Sequence, residues 1–234
     1  MPINSAEPHT ASPDPYGAGA PSAEPDRPAF DRLRRLNARA VRDSAALVSR
    51  LAPGDLVRPT PCSEWDLAAL LGHMTAQHRG FAAAALGRGE DLAHWAVRPP
   101  GDRIPDVVAD HRSATEEVIA AFAAVDTPGR QFALPEFTTD RTFPAIQAIG
   151  FHLIDYVVHG WDVARSLGLA YDPDPELLAA ALPIARAVPD GEARLAAGSS
   201  FKPGLSGAEG AGVLELILTA LGRAPEWRAG EAVR

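Results

Sequence analysis

Phe151-His152-Leu153-Ile154-Asp155-Tyr156-Val157-Val158-His159-Gly160-Trp161-Asp162 is the stretch whose reading decides the fold. It lies inside an apolar run, residues 143–167, whose only proline is Pro144 and which stops at Gly168. Proline at the start and glycine just past the end are helix-terminal preferences, so the run predicts one long α-helix. On that helix Asp155 and His159 are four residues apart, which points both side chains the same way, one turn above the other. A carboxylate and an imidazole so placed can grip one divalent ion from a single rigid element. Burying such groups without partners is costly. A metal ion answers that cost, and so does a hydrogen-bonded Asp–His pair in the core.

The whole chain sets the frame for this helix. It has 234 residues, 46% hydrophobic and 22% charged, which suits one globular domain or at most two small ones. A net charge of −8 argues against a phosphate-backbone partner, so no nucleic acid is expected. Cys62 is the one cysteine, which excludes an intrachain disulfide and a cysteine-based zinc knuckle. No segment approaches the roughly 20 uninterrupted apolar residues of a membrane span, and the first residues lack the basic-then-apolar layout of a signal peptide. The expectation is a cytoplasmic protein acting on a small molecule, without membrane association, with a homodimer as the candidate assembly.

Outward from the central stretch, the chain reads as helices punctuated by proline and glycine. Residues 1–27 are rich in Pro, Ala, Ser and Gly and are expected to be a disordered tail ahead of a helical domain over 28–234. Apolar spacing predicts a first amphipathic helix over 28–51, with Arg32, Arg34, Arg35, Arg39 and Arg42 interleaved on a solvated basic face. A second helix is expected from Thr60-Pro61-Cys62-Ser63-Glu64-Trp65-Asp66 to about residue 86, with Ser63 and Asp66 spaced like a capping box. His73 falls beside its apolar stripe and Gln77 one turn further on. His78, about 140° around from His73, is expected to face elsewhere. Cys62 reads as a small buried residue rather than a reactive thiol, some 16 Å from His73 if the intervening residues are helical. A third helix over 104–125 carries His111, Glu116 and Glu117, all expected to face solvent. Residues 126–142 form a connection with a short hairpin from the runs 131–134 and 137–139. After Gly168 come a fifth helix, 176–188, kinked at Pro183, and a final one, 211–221.

The picture is an all-α bundle of four principal helices with short C-terminal additions, in which facing helices share a core site. A catalytic zinc-type centre wants three protein ligands and one open position. Asp155 and His159 supply two. The third comes from His73, His78, His94 or His111, and His73 is the best placed. His152 shares the face of Asp155 but is seven residues from His159, roughly 10 Å along the axis, too far for both to bind one ion. It is expected in a supporting, substrate-contacting or core role. Trp161 and Asp162 read as packing and helix-solvation residues, and Arg165 as a salt-bridging one.

Three motifs then carry a resemblance: Thr60-Pro61-Cys62-Ser63-Glu64-Trp65 with Leu70-Leu71-Gly72-His73-Met74; Val158-His159-Gly160-Trp161-Asp162-Val163-Ala164-Arg165; and Leu216-Ile217-Leu218-Thr219-Ala220-Leu221-Gly222-Arg223 with Trp227. In this order, over about residues 28–228, they resemble the actinobacterial DinB-like metal-binding proteins related to mycothiol-dependent maleylpyruvate isomerase. The resemblance implies a DinB-like four-helix bundle and a divalent metal, usually zinc, with nickel as another borderline metal. It implies His73 and His159 as ligands. Asp155 stands where the isomerase has a glutamate, one methylene shorter. It further implies a thiol co-substrate, mycothiol, used for isomerisation or S-transfer on an electrophilic small molecule. Two other readings stay open: a hydrolase, isomerase or cyclase that uses no thiol, and a non-catalytic metal- or ligand-binding protein. Thiol chemistry needs an anion-friendly entrance, whereas hydrolysis needs an acid or base beside the metal. Gln77 and His152 are the candidate catalytic residues for either.

Overall fold

A computed structural model of the chain describes residues 27–62, 65–195 and 201–229. The expected tail, apart from Arg27, and Ser63 of the expected capping box lie outside them. Arg27 opens α1 (Arg27–Val48), whose buried residues Asn37, Ala40, Val41, Ser44 and Val48 recur at three- and four-residue intervals, with Phe30 and Leu36 buried ahead of them. The helices α2 (Leu67–Ala85), α3 (Ile104–Ala123) and α4 (Ala145–Leu167) complete a four-membered bundle. Helix α1 packs on α4 and α3, and α2 packs on the same two, so a common core runs between all four. The all-α expectation holds, and the central stretch lies in α4, a helix buried along most of its length.

Local chemistry sets the helix ends. Asp66 is the N-cap of α2, its carboxylate accepting from the Ala69 amide at 2.9 Å, so the helix starts three residues later than a Ser63 cap would place it. Before it, Pro59 pairs with Asp66 in an isolated antiparallel bridge. Gly168 closes α4 at φ 69°, and the Leu169 amide reaches back to the Ala164 carbonyl at 2.8 Å, six residues to one.

The expected hairpin exists, but with a different second strand. β1 (Gln131–Phe132) pairs antiparallel with β2 (Phe143–Pro144), not with the run 137–139. Phe137 and Thr138 instead turn under, their amides donating to the Leu134 carbonyl, which pins the loop between the strands. Helix α5 (Pro175–Ala187) does contain Pro183, and α6 (Val213–Ala220) packs against it. At the end of α6, Gly222 takes φ 73°, where an added Cβ would meet the Lys202 carbonyl oxygen at 2.5 Å. That turn sends Arg223 back into the bundle, where it is 2% exposed. Among the described residues no helix is long and apolar enough to cross a membrane.

Candidate metal centre

Three groups from two helices converge. His73 comes from α2, and Asp155 and His159 from α4. Their ligand atoms all lie within 4.8 Å of one another. Asp155 Oδ1 is 3.2 Å from His159 Nε2, and Asp155 Oδ2 is 4.0 Å from His73 Nε2. An ion with bonds of about 2.1 Å in a tetrahedral site holds its ligand atoms about 3.4 Å apart, so the triad needs only a small contraction to close on one. The shorter aspartate therefore still reaches both imidazoles.

The residues fit a cation on a second count. His73 Nε2 and His159 Nε2 are both buried without a hydrogen-bond partner, the 3.2 Å approach to Asp155 lacking the alignment of one. Two orphaned imidazole nitrogens in one small space are expensive unless something accepts their lone pairs. The electrostatics agree. Burial opposes charge on His159, but the carboxylates of Asp155 and Asp162 outweigh it and lift its pKa to about 9. Burial would raise Asp155, yet the imidazoles of His159, His73 and His152 bring it down to about 2. Burial holds His73 at about 4, against the pull of Asp155. The pocket favours one positive charge between two carboxylates, which a proton on His159 or a metal ion can supply.

Behind the triad stands a support that the sequence reading mistook for surface solvation. Asp162 is fully buried, and its Oδ2 accepts from His159 Nδ1 at 2.9 Å and from the Arg223 guanidinium at 3.1 Å. A proton held on Nδ1 by a carboxylate leaves the Nε2 lone pair of neutral His159 aimed at the other ligands. The three-residue step from His159 to Asp162, with an arginine ending the third motif, was the available signal. Trp65 was missed as well. Its ring lies 4.8 Å from the His73 ring and 6.4 Å from the His159 ring, so it walls one side of the centre. Cys62 is buried as expected, but it is not remote from the centre. The helix begins only at Leu67, and burial, then Arg223, Asp162, Lys202 and Asp155, act on its thiol and leave its pKa at about 11. The thiol is protonated at neutral pH and unreactive.

The remaining histidines divide sharply. His94 lies at the surface near Asp91. His78 faces away from His73 as expected but is buried, because α2 is covered on nearly every side, and His111, expected to face solvent, is buried too, since α3 turns it toward Thr75. His152 is buried between Asn37 and His78. The Asn37 amide nitrogen can only donate, so His152 Nδ1 accepts and its Nε2 donates to His78 Nδ1. His78 Nε2 then donates to Thr115. This chain visits α1, α4, α2 and α3 once each, and its hydrogen bonds do not include the triad. Gln77 is buried on the His73 face of α2, where its amide donates to the Glu136 carboxylate. Arg165 forms no salt bridge among the described residues. It donates to the Pro225 carbonyl at 2.9 Å and lies over the Trp161 ring.

Comparison with known proteins supplies the family. The family described as Mycothiol maleylpyruvate isomerase N-terminal domain matches residues 37–164, a span that holds the triad and Asp162 but not Arg223. Two uncharacterized proteins, from two strains of Mycobacterium tuberculosis, are each 33% identical over 146 residues, 62% of this chain and 72% of their own length. The crystal structure of the mycothiol-dependent maleylpyruvate isomerase superposes with a TM-score of 0.49 at 13% identity, over 67% of this chain and 68% of that one. By the span of the family match and the identity to these relatives, this chain belongs to the mycothiol maleylpyruvate isomerase N-terminal domain family.

Proposed function

We propose that the protein is a metal-dependent enzyme that holds one divalent ion, zinc by donor type, through His73, Asp155 and His159. In this reading it uses the ion to activate a low-molecular-weight thiol, mycothiol, for isomerisation or S-transfer on an electrophilic small molecule in the cytoplasm. The observation that carries the reading is the pair of unpartnered Nε2 atoms facing one carboxylate. Three protein ligands leave a position open, and a bound ion stabilises the thiolate form of a thiol arriving there. The chain's own part is to orient and to exclude water. Asp162 and Arg223 hold His159, and the Trp65 ring shields both imidazoles. Cys62 is protonated, so the reacting thiol comes from outside. Gln77 stands at the mouth of the centre. His152 spends both ring nitrogens on Asn37 and His78, and in this account it keeps α4 in register rather than touching substrate.

A second reading has one observation in its favour. Gln77, one turn from His73 on α2, holds the Glu136 carboxylate, and an acid or base near the metal is what activation of water or polarisation of a carbonyl requires. Cobalt substitution separates the two. Mycothiol added to the cobalt protein should produce sulfur-to-metal charge-transfer absorption, abolished in His159→Ala. An unchanged spectrum, with turnover equal in the absence of thiol, transfers the assignment to the second reading.

A further inference from the structure

Glu136 lies on the loop between β1 and β2, and that loop is firmly anchored. Leu134 on one side is fully buried, and Phe137 on the other stacks on Phe151 of α4 at 5.2 Å. Glu136 is nevertheless exposed as a residue, with the part of its carboxylate that meets Gln77 partly buried. One of its oxygens accepts from Gln77 Nε2, and the other makes no hydrogen bond among the described residues. Gln77 follows His73 by four residues, so the two side chains leave α2 on one face a turn apart.

The centre is partly open through the two ligands His73, on this face of α2, and Asp155. The side chains of His73 and Asp155 keep 13% and 15% exposure, whereas His159 has none. Burial lifts the Glu136 pKa above the ordinary glutamate value, the Gln77 hydrogen bond pulls it back, and the Asp155 charge raises it further. Asp155 is the charged group that acts on it from α4. A carboxylate on a fixed loop, aimed by a buried amide, with one oxygen free at an opening, is equipped to exchange protons. A merely solvating glutamate would need no such aim.

We propose that Glu136, positioned by Gln77, is the group that exchanges a proton with the small molecule occupying the open side of the centre. The inference rests on the metal-thiol reading above. A neutral thiol arriving there gives its S–H proton to the Glu136 carboxylate, leaving a thiolate and a carboxylic acid. The same acid returns the proton to the product or to water, so charge and atoms balance. Gln77 sets the direction of the carboxylate and favours its ionised form.

The test follows cobalt-loaded full-length protein by stopped flow after mixing with mycothiol, across pH, alongside metal content. In the wild type the rate of thiolate absorption should fall on the acid side as Glu136 takes up a proton. Glu136→Gln should bind cobalt normally, reach the same final spectrum, lose the acid limb and slow by about 10²-fold or more. Added formate should restore part of the rate. Gln77→Leu should move the acid limb to higher pH, because the hydrogen bond it removes favours the carboxylate; a purely structural role for Gln77 would not move it. A Glu136→Gln protein with the wild-type rate and limb overturns the proposal alone, as does a rate loss that only tracks loss of metal. A wild-type spectrum untouched by mycothiol overturns it together with the thiol reading.

Discussion

Acid should unfold this bundle earlier than its carboxylates alone require. His78, His111 and His152 are buried, and burial is the first cause that depresses each: His111 to about 4, His152 to about 3, and His78 well below its ordinary value. Each returns to a value near 6.5 once unfolded. Between those two values the unfolded chain binds more protons than the folded one, so stability falls as pH falls. At pH 5 each such histidine has cost about 2 kcal/mol relative to neutral pH. Three together approach the whole stability of an ordinary domain, about 5–15 kcal/mol. His73, held at about 4 by burial, adds to the same loss, whereas the other two groups of the triad act elsewhere. Asp155, depressed to about 2, contributes stability that is lost only below pH 3.8, and His159, raised to about 9, contributes stability lost as pH rises toward 9. Urea titrations of metal-free protein by circular dichroism at pH 7.5, 6 and 5 would read the loss. In His111→Gln the slope between pH 6.5 and 5 should drop by one proton. Stability flat across that window, or a variant with the wild-type slope, would refute the assignment of neutral buried histidines.

Two further outcomes follow from particular contacts. Asp162→Asn removes the carboxylate that orients His159 and faces Arg223, so metal affinity should fall about 10–100-fold, with a lower Tm, while the triad itself is unchanged; isothermal titration with zinc reads the first and thermal melting the second. Gly80→Ala drives a Cβ to 2.2 Å from the Trp95 ring, which is itself fixed by its indole hydrogen bond to the Gly89 carbonyl. That should destabilise by about 1–3 kcal/mol, and an unchanged urea midpoint would show that the α2–Trp95 contact is looser than described.

The helices were legible because their signals are local. Pro144 and Gly168 delimit α4 within a residue, and Asp155 and His159 meet because four residues make about one turn. His73 needed only an apolar stripe to place it on a facing helix. What the sequence concealed depends on tertiary packing. The burial of His78 was not legible because periodicity locates one apolar face, whereas α2 is enclosed on nearly all of its faces, and His111 looked solvent-facing for the same reason. Cys62 looked distant because the chain from 62 on was counted as helix, while α2 begins only at Leu67 and Pro59 pairs with Asp66 ahead of it. Arg223 meets Asp162 across 61 positions of chain, and no periodicity reports such a pairing. Glu136 was likewise hidden, since only the strand pairing at Phe132 and Phe143 fixes where its loop lies.

Metal content is the most direct test of the central reading. Protein reconstituted with zinc and desalted should retain one ion per chain by elemental analysis. His73→Ala and His159→Ala should each lose it, and His152→Ala, whose imidazole is engaged with Asn37 and His78, should keep it. Wild-type protein that retains no divalent ion, or a His152→Ala variant that loses it while His159→Ala holds it, would contradict the assignment of His73, Asp155 and His159 as the metal centre.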